Sequence, residues 1–400
     1  MSQAASGHGL RAAWVVILAG VSAALHVGKL PPAIPVLRDA LGVGLLEAGF
    51  LLSLVQLAGM SLGLAVGLTA DGIGLRRSML TGLLVLVVAS AAGGAAGSPA
   101  QLLALRALEG FGFLLVTLPA PSLVRRLVPP SRISAMLGVW GAYMPLGTAL
   151  ALLAGPSLMA AWGWSVWWWG LAGLSALMAL LVCLLVPVDV RPAAGAADAA
   201  AAWQGRLGRT LRAPGPWLVA LTFAMYSGQW LAVIGFLPAI YAQGGVTGPA
   251  AGALTAMAAA VNMVGNIGSG RLLQRGVRPP ALLVAGFLAM AAGAWLAFGA
   301  GGGAQARFAG VLLFSSVGGL IPGTLFSLAV RLAPAEDTVS TTVGWMQQWS
   351  SIGQFAGPPA VAWLAARAGG WHWTWLATGA CCVGGCVLAA GVARALVRRG

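Results

Sequence analysis

Two charged side chains interrupt the long apolar stretch at residues 101–123. Arg106 and Glu109 lie three residues apart, a spacing that places both on one face of a helix. A charge inside a membrane-spanning helix costs at least ~2.5–3.5 kcal/mol unless it is paired or hydrated. We therefore treat both residues as candidates for ligand binding or proton transfer. The alternative is a structural Arg–Glu pair that holds two helices together.

A second pair of basic side chains lies near the end of the first apolar stretch. Lys29 is the only lysine of the chain, and His26 precedes it by one helical turn. With Arg106, these residues could form a cationic pocket for an anion, in which Glu109 or His26 would carry a coupled proton. The alternatives are that Lys29 extends to the membrane interface, because Pro31 and Pro32 follow it, and that His26 is a packed core residue.

The second half of the chain has no comparable acid within its apolar stretches and offers neutral polar side chains instead. The candidates for substrate binding there are Tyr226, Gln229, Asn262 and Gln348. Hydrogen bonds between helices would explain these residues equally well. The four cysteines all lie in apolar stretches and indicate small buried side chains, not a disulfide framework or a metal site.

No signature of an enzyme is present in the sequence. There is no hydrolase elbow, no His-Glu-x-x-His sequence and no phosphate-binding loop, and the three histidines are far apart. We therefore predict no catalytic residues, no metal and no cofactor.

The composition places the chain in a lipid bilayer. It is 59% hydrophobic and 8% charged, whereas soluble proteins have about 25% charged residues. Apolar segments long enough to cross a membrane recur along the chain. They predict twelve spans, at about 12–37, 44–66, 78–97, 101–123, 133–159, 164–186, 215–243, 249–273, 280–299, 305–330, 338–366 and 371–397.

The positive charge of the chain is better explained by membrane topology than by nucleic-acid binding. The formal net charge is +14, but the arginines fall between the apolar segments. If the N-terminus is cytoplasmic, 17 of the 22 basic residues lie on the inner side and three on the outer side. This asymmetry predicts an inner-membrane protein with an even number of spans and both termini in the cytoplasm.

The two halves of the chain resemble each other. Gly163-Trp164 matches Gly370-Trp371 after 207 residues, and three further pairs repeat at offsets of 205 or 206 residues. The polar segment between the halves reads as a cytoplasmic linker, with room for a short amphipathic helix. We predict a six-helix bundle at 1–187, a linker at 188–214 and a second six-helix bundle at 215–400.

The loop between the second and third predicted spans resembles a characteristic loop of the major facilitator superfamily. Its glycine, acidic and basic positions match the pattern at Gly67, Asp71, Gly74, Arg76 and Arg77. It departs at Gly72, where the family usually has a basic residue, and at Leu75. The sequence Arg106-x-x-Glu109-Gly110-x-Gly112 resembles a second motif of the same family.

This resemblance implies an all-α membrane protein with twelve transmembrane helices in two pseudo-symmetric six-helix bundles, and a substrate site near the middle of the membrane. It also implies that the five loop residues form a conformational gate. The basic residue beside a proline pair in the first span resembles the cyanate and nitroimidazole permease branch.

We therefore expect a monomeric secondary transporter that works by alternating access in the lipid bilayer. The favoured substrate is a small organic or inorganic anion, with coupling to protons. One alternative is a proton-coupled exporter of hydrophobic or cationic drugs. Another, of a different class, is a membrane receptor or scaffold that transports nothing.

Overall fold

A computed structural model describes residues 2–43, 51, 54–65, 74–189, 196–243, 245–246 and 248–398. Within these ranges the chain forms helices and no strand. The α-helices are α1 (Ser2–Gly28), α2 (Ile34–Leu41), α3 (Leu54–Ala65), α4 (Leu75–Gly93), α5 (Pro99–Thr117), α6 (Ala120–Leu127), α7 (Ile133–Gly141), α8 (Tyr143–Trp162), α9 (Trp164–Leu185), α10 (Ala196–Arg212), α11 (Pro214–Gln243), α12 (Gly248–Ala260), α13 (Asn262–Gln274), α14 (Pro279–Ala294), α15 (Ala304–Gly318), α16 (Leu320–Leu332), α17 (Val339–Ala368) and α18 (Thr374–Val397).

Ten continuous helical segments of the described chain are long and apolar enough to cross a membrane. The predicted span at 44–66 is represented by the shorter helix α3, because parts of it lie outside the described residues. The predicted span at 338–366 corresponds to α17, whose 30 residues suffice in length. It is not among the ten because its polar residues, including Gln347, Ser350 and Ser351, lower its mean hydropathy. These helices agree with the expected twelve-helix architecture.

Internal contacts divide the chain into two compact units. Unit 1 comprises Met1–Ile133 and Tyr143–Gly208, and unit 2 comprises Ser134–Ala142 and Arg209–Gly400. In unit 1, α1 packs against α8 and α9, and α4 packs against α5 and α9. In unit 2, α11 packs along α17, and α14 packs against α15 and α18. Helix α10 lies within the segment predicted as a linker.

Glycines let α4 and α5 approach each other closely in unit 1. A Cβ atom at Gly112 would lie 2.9 Å from the carbonyl oxygen of Gly82, and one at Gly82 would lie 2.6 Å from that of Gly112. A larger residue at either position would force the helices apart. This contact places the face of α5 that carries Arg106 and Glu109 inside the unit.

An apolar cluster surrounds the region where α1 ends. It includes Leu30, Leu51, Leu102 and Trp168, all of them buried. The chain leaves α1 after Gly28 and passes through the Pro31-Pro32 turn before α2. Lys29 is thus the first residue beyond the helix, and it lies inside the unit.

Candidate functional site

The charged side chains of unit 1 meet around one carboxylate. Glu109 accepts a hydrogen bond from the Lys29 ammonium group and another, of 2.9 Å, from Nη1 of Arg106. Nδ1 of His26 lies 3.7 Å from Oε1 of Glu109. All four residues are almost fully buried, with exposed fractions of 0% for Lys29, 1% for His26, 3% for Arg106 and 2% for Glu109. The structure therefore brings together the four ionisable residues that the sequence indicated.

Lys29 does not extend to a membrane interface. Its ammonium group donates a hydrogen bond of 3.0 Å to Oγ of Ser90 and lies 4.5 Å from the centroid of the Trp168 ring. Ser90 in turn donates to the carbonyl oxygen of Trp168 at 2.9 Å. With Glu109, these groups surround the ammonium with a carboxylate, a hydroxyl and an aromatic face. Each is an acceptor that stabilises a buried cation.

Arg106 connects α5 to the end of α1. Besides Glu109, its guanidinium group donates to the carbonyl oxygens of His26, Val27 and Leu51, the last at 3.1 Å. The final carbonyl groups of a helix lack partners within the helix and carry partial negative charge. Arg106 satisfies two of them, so it supports the structure of unit 1 as well as the carboxylate.

His26 extends the polar cluster towards α9. Its Nε2 atom forms a hydrogen bond of 2.8 Å with Oγ of Ser175, which lies 3.4 Å from Oγ of Ser22. Nδ1 faces Glu109 but has no hydrogen-bond partner among the described residues. The imidazole thus lies between the carboxylate and a pair of hydroxyl groups, an arrangement in which it could pass a proton between them.

The charges in this cluster do not cancel. Lys29 and Arg106 are both within ion-pair distance of Glu109, which is the single carboxylate among the four residues. Counted with a neutral imidazole, the cluster carries one net positive charge. An unbalanced charge is costly in a dry interior.

The cluster is closed in this structure. The narrow space beside Arg106 and Glu109 is lined by Leu30, Leu51, Leu102, Leu105 and Trp168. An anion from solution could reach Lys29 only if some of these side chains moved. The structure therefore describes a state in which the charged cluster is shielded from water.

Two candidates of the second half, Tyr226 and Asn262, belong to a smaller polar network within unit 2. The hydroxyl group of Tyr226 donates to Oδ1 of Asn262 at 3.1 Å, and Nδ2 of Asn262 donates to the carbonyl oxygen of Ser315 at 2.7 Å. Trp230 Nε1 donates to Oγ of Ser315 at 3.2 Å. Gln229 lies apart from this network, where its side-chain oxygen accepts from Cys382 at 3.4 Å.

Gln348, the remaining candidate of the second half, is half-buried on α17. The structure thus joins Tyr226 to Asn262 and leaves Gln229 at a separate contact with α18.

The predicted gate residues are only partly described. Gly67 and Asp71 lie outside the described residues. Gly74 precedes α4 with φ +112°, a conformation that disfavours side chains other than glycine. The backbone N–H groups of Arg76 and Arg77 donate to the two carboxylate oxygens of Asp189, at 3.2 and 3.1 Å.

Asp189 was missed in the sequence, although it binds the start of α4. It follows α9, and the Arg76 side chain completes the contact by donating to the carbonyl oxygen of Cys183 at 2.6 Å. Asp189 is more than 100 residues from its partners, so no local pattern could reveal it. Ser90 and Ser175 also meet distant partners, since Ser90 lies 61 residues from Lys29 and Ser175 lies 149 residues from His26. Trp168 lies 78 residues from its partner Ser90. The one feature of the sequence that could have indicated Ser90, Trp168 and Ser175 is that each is a polar or aromatic side chain in an apolar helix.

These features define a multi-pass α-helical membrane protein with a buried ionic cluster inside one of its helical units. The chain belongs to the Major Facilitator Superfamily, a family of transporters, because the sequence model of that superfamily matches residues 15–357.

Three curated relatives match parts of the chain. It is 34% identical over 160 residues to the puromycin resistance protein pur8 of Streptomyces alboniger, covering 40% of this chain and 32% of the relative. It is 24% identical to the cyanate transport protein CynX of Escherichia coli, covering 61% of this chain and 62% of the relative. It is 32% identical to the tetracenomycin C resistance and export protein of Streptomyces glaucescens, over 30% of this chain and 23% of the relative. The matched regions thus span less than two thirds of each relative.

Solved structures share the fold over nearly the whole chain. The Major Facilitator Superfamily transporter FucP in the outward conformation matches with a TM-score of 0.75 and 16% identity, over 94% of this chain and 98% of FucP. The proton:xylose symporter XylE matches with a TM-score of 0.75 and 13% identity, over 96% of each chain. At this level of identity the likeness concerns the fold alone.

Proposed function

We propose that this protein is a secondary active transporter that moves a small organic or inorganic anion across the inner membrane by alternating access. The observation that carries the proposal is the charge imbalance around Glu109, where Lys29 and Arg106 share one carboxylate. A relative named for cyanate transport supports the same substrate class, because cyanate is a small anion.

Lys29 is the residue that we assign to the anion. Arg106 is held by three backbone carbonyl oxygens and could not leave them without disrupting the end of α1. Lys29 has only side-chain partners, Glu109, Ser90 and Trp168. Its flexible stem allows the ammonium group to exchange the carboxylate of Glu109 for a substrate anion. Arg106 then keeps Glu109 paired.

Glu109 is the residue that we assign to proton coupling. A proton on its carboxylate would remove the negative charge that Lys29 and Arg106 share, and the two cations would then attract an anion more strongly. By linkage, a bound anion would raise the proton affinity of Glu109 by the same factor. Proton and anion would therefore bind together, which is the condition for symport. His26 and Ser175 offer a route for the proton.

Uptake of labelled anions into proteoliposomes tests this proposal. Formate, acetate and cyanate would be supplied one at a time, with and without an inward proton gradient. We expect at least one of them to accumulate when the outside is acidic. We expect Lys29→Met to lower that flux at least about tenfold, which corresponds to ~1.4 kcal/mol, and Lys29→Arg to keep a measurable part of it.

Arg367→Gln is the matched control for the loss of one positive charge. Arg367 is on α17 and lies over the ring of Trp363, with 5.2 Å between the guanidinium carbon and the ring centroid, outside the charged cluster. This variant should transport like the unaltered protein. Anion flux that is unchanged by Lys29→Met would refute the assignment of the anion site.

Export of hydrophobic or cationic drugs is the second candidate. Two relatives favour it, since their names refer to puromycin resistance and to tetracenomycin C resistance and export. A drug cation would need a carboxylate that is available to it, whereas Glu109 is occupied by Lys29 and Arg106. Drug resistance in a host that lacks its own exporters would support this candidate if it persists in Lys29→Met and disappears in Glu109→Gln.

A further inference from the structure

A second cavity lies at one end of unit 2, among residues that the charged cluster of unit 1 does not include. It has a volume of about 480 Å³, within the range of small-molecule sites. Its wall is formed by the end of α11, the start of α15, and two short turns at Trp295–Gly299 and Trp371–Trp373. All of these belong to unit 2.

The wall of this cavity combines aromatic surface with a cation. Phe298, Phe308 and Trp371 supply aromatic rings, and Arg307 and His372 supply the charged and polar groups. Tyr241 also lines the cavity, and its hydroxyl group is buried without a hydrogen-bond partner among the described residues. A buried hydroxyl group without a partner is costly, so it indicates a place for a polar atom of a ligand.

Arg307 has no carboxylate of unit 2 near it. The only acidic residues from 209 onward are Glu336 and Asp337, which precede α17. The cavity adjoins the other end of α17, which is roughly 45 Å away for a helix of 30 residues. No carboxylate of unit 2 is therefore close enough to pair with Arg307.

A π-helical turn forms part of the wall. Residues Trp295–Gly299 extend α14 with the wider spacing of a π-helix, and the N–H group of Ala300 donates to the carbonyl oxygen of Trp295 at 2.8 Å. Ala297 and Phe298 of this turn line the cavity. Such turns are less stable than a regular helix and occur frequently at functional sites. This observation is independent of the charge of Arg307.

We propose that this cavity binds an organic carboxylate with an apolar, preferably aromatic, body. Arg307 holds the carboxylate through paired hydrogen bonds, because its planar guanidinium group matches that geometry. The rings of Phe298, Phe308 and Trp371 enclose the apolar part, and the hydroxyl group of Tyr241 donates to a remaining acceptor. If the membrane topology predicted from the arginines holds, the site opens to the outer side.

Equilibrium dialysis of the purified full chain in detergent, with labelled phenylacetate as the probe, tests this site. We expect saturable binding of phenylacetate and at least about tenfold weaker binding of the neutral phenylacetamide. Arg307→Gln should weaken phenylacetate binding by a similar factor, and Tyr241→Phe by less. Arg307 is exposed, so its replacement should leave the fold intact, as gel filtration and thermal melting would verify.

Two controls separate this site from its alternatives. Arg367→Gln removes a different arginine from the same end of the unit and should bind phenylacetate normally. Lys29→Met should also bind phenylacetate normally. The anion-transport proposal and the proposal of this second site can therefore fail independently of each other.

Three results would overturn the proposal. They are phenylacetate binding that survives Arg307→Gln, equal binding of phenylacetamide, and binding only of phosphatidylglycerol in mixed micelles without binding of phenylacetate. The last would assign the cavity to an anionic lipid.

Discussion

The charge imbalance at Glu109 predicts that loss of this carboxylate destabilises the protein far more than loss of Lys29 does. Glu109→Gln leaves Lys29 and Arg106 buried together without a counter-charge. Breaking a buried ion pair from one side costs about 3–5 kcal/mol. Lys29→Met leaves Arg106 and Glu109 as a neutral pair at 2.9 Å and fills the place of the lysine stem with a side chain of similar length. The substitution Lys29→Met should therefore change the free energy of unfolding by no more than about 1 kcal/mol.

Thermal unfolding of the purified variants measures this difference. For a unit of about 200 residues, 1 kcal/mol corresponds to a shift of roughly 2–4 °C in Tm. Glu109→Gln should therefore melt about 6–20 °C below the unaltered protein, whereas Lys29→Met should stay within about 4 °C of it. All variants would be melted at one scan rate in one detergent.

The double variant Lys29→Met/Glu109→Gln completes the comparison. It leaves Arg106 as the only charge, held by the carbonyl oxygens of His26, Val27 and Leu51. Its Tm should therefore lie above that of Glu109→Gln alone. The reasoning is refuted if Lys29→Met lowers the Tm as far as Glu109→Gln does, or if the double variant melts below both single variants.

Four further predictions concern unit 1. Anion affinity should rise by a factor of about 5–150 as pH falls in the unaltered protein. In the variant Glu109→Gln the affinity should not depend on pH. Titrations of anion binding at several pH values would measure both. Gly74→Ala should lower the free energy of unfolding by about 1–3 kcal/mol, because Gly74 has a positive φ. Asp189→Asn should lower it by about 0.5–1 kcal/mol, because the substitution weakens the interaction with the start of α4. Both variants should therefore melt at a lower temperature, and an unchanged Tm of Gly74→Ala would contradict the argument from its φ. Ser175→Ala should leave Nε2 of His26 without its partner at a cost of about 1–3 kcal/mol, and proton uptake that accompanies anion entry should slow, which a pH-sensitive dye would record.

The sequence identified the members of the charged cluster because charges are rare and costly inside apolar helices. Arg106 and Glu109 stood out in an otherwise apolar segment, and their spacing of three residues fixed their common face. Lys29 and His26 stood out for the same reason. The spacing could not predict that Lys29 pairs with Glu109, because these residues lie 80 positions apart in the sequence.

The alternatives for Lys29 were separated only by the packing of unit 1. A lysine at the end of a helix can reach the interface or turn inward, and its neighbours Pro31 and Pro32 allow both. The close contact of α4 with α5 at Gly82 and Gly112 leaves the ammonium group between Glu109, Ser90 and Trp168. Helix packing of this kind depends on side-chain volumes from several segments at once.

The sequence by itself determined the membrane location, the helical class and the residues that carry charge. These properties follow from local composition, because each apolar segment must satisfy its own backbone hydrogen bonds in lipid. Only the tertiary structure decided which charges share a carboxylate, that Asp189 binds the start of α4, and that Arg307 adjoins an aromatic cavity. These contacts join segments far apart in the chain, and a sequence pattern records no distance between such segments.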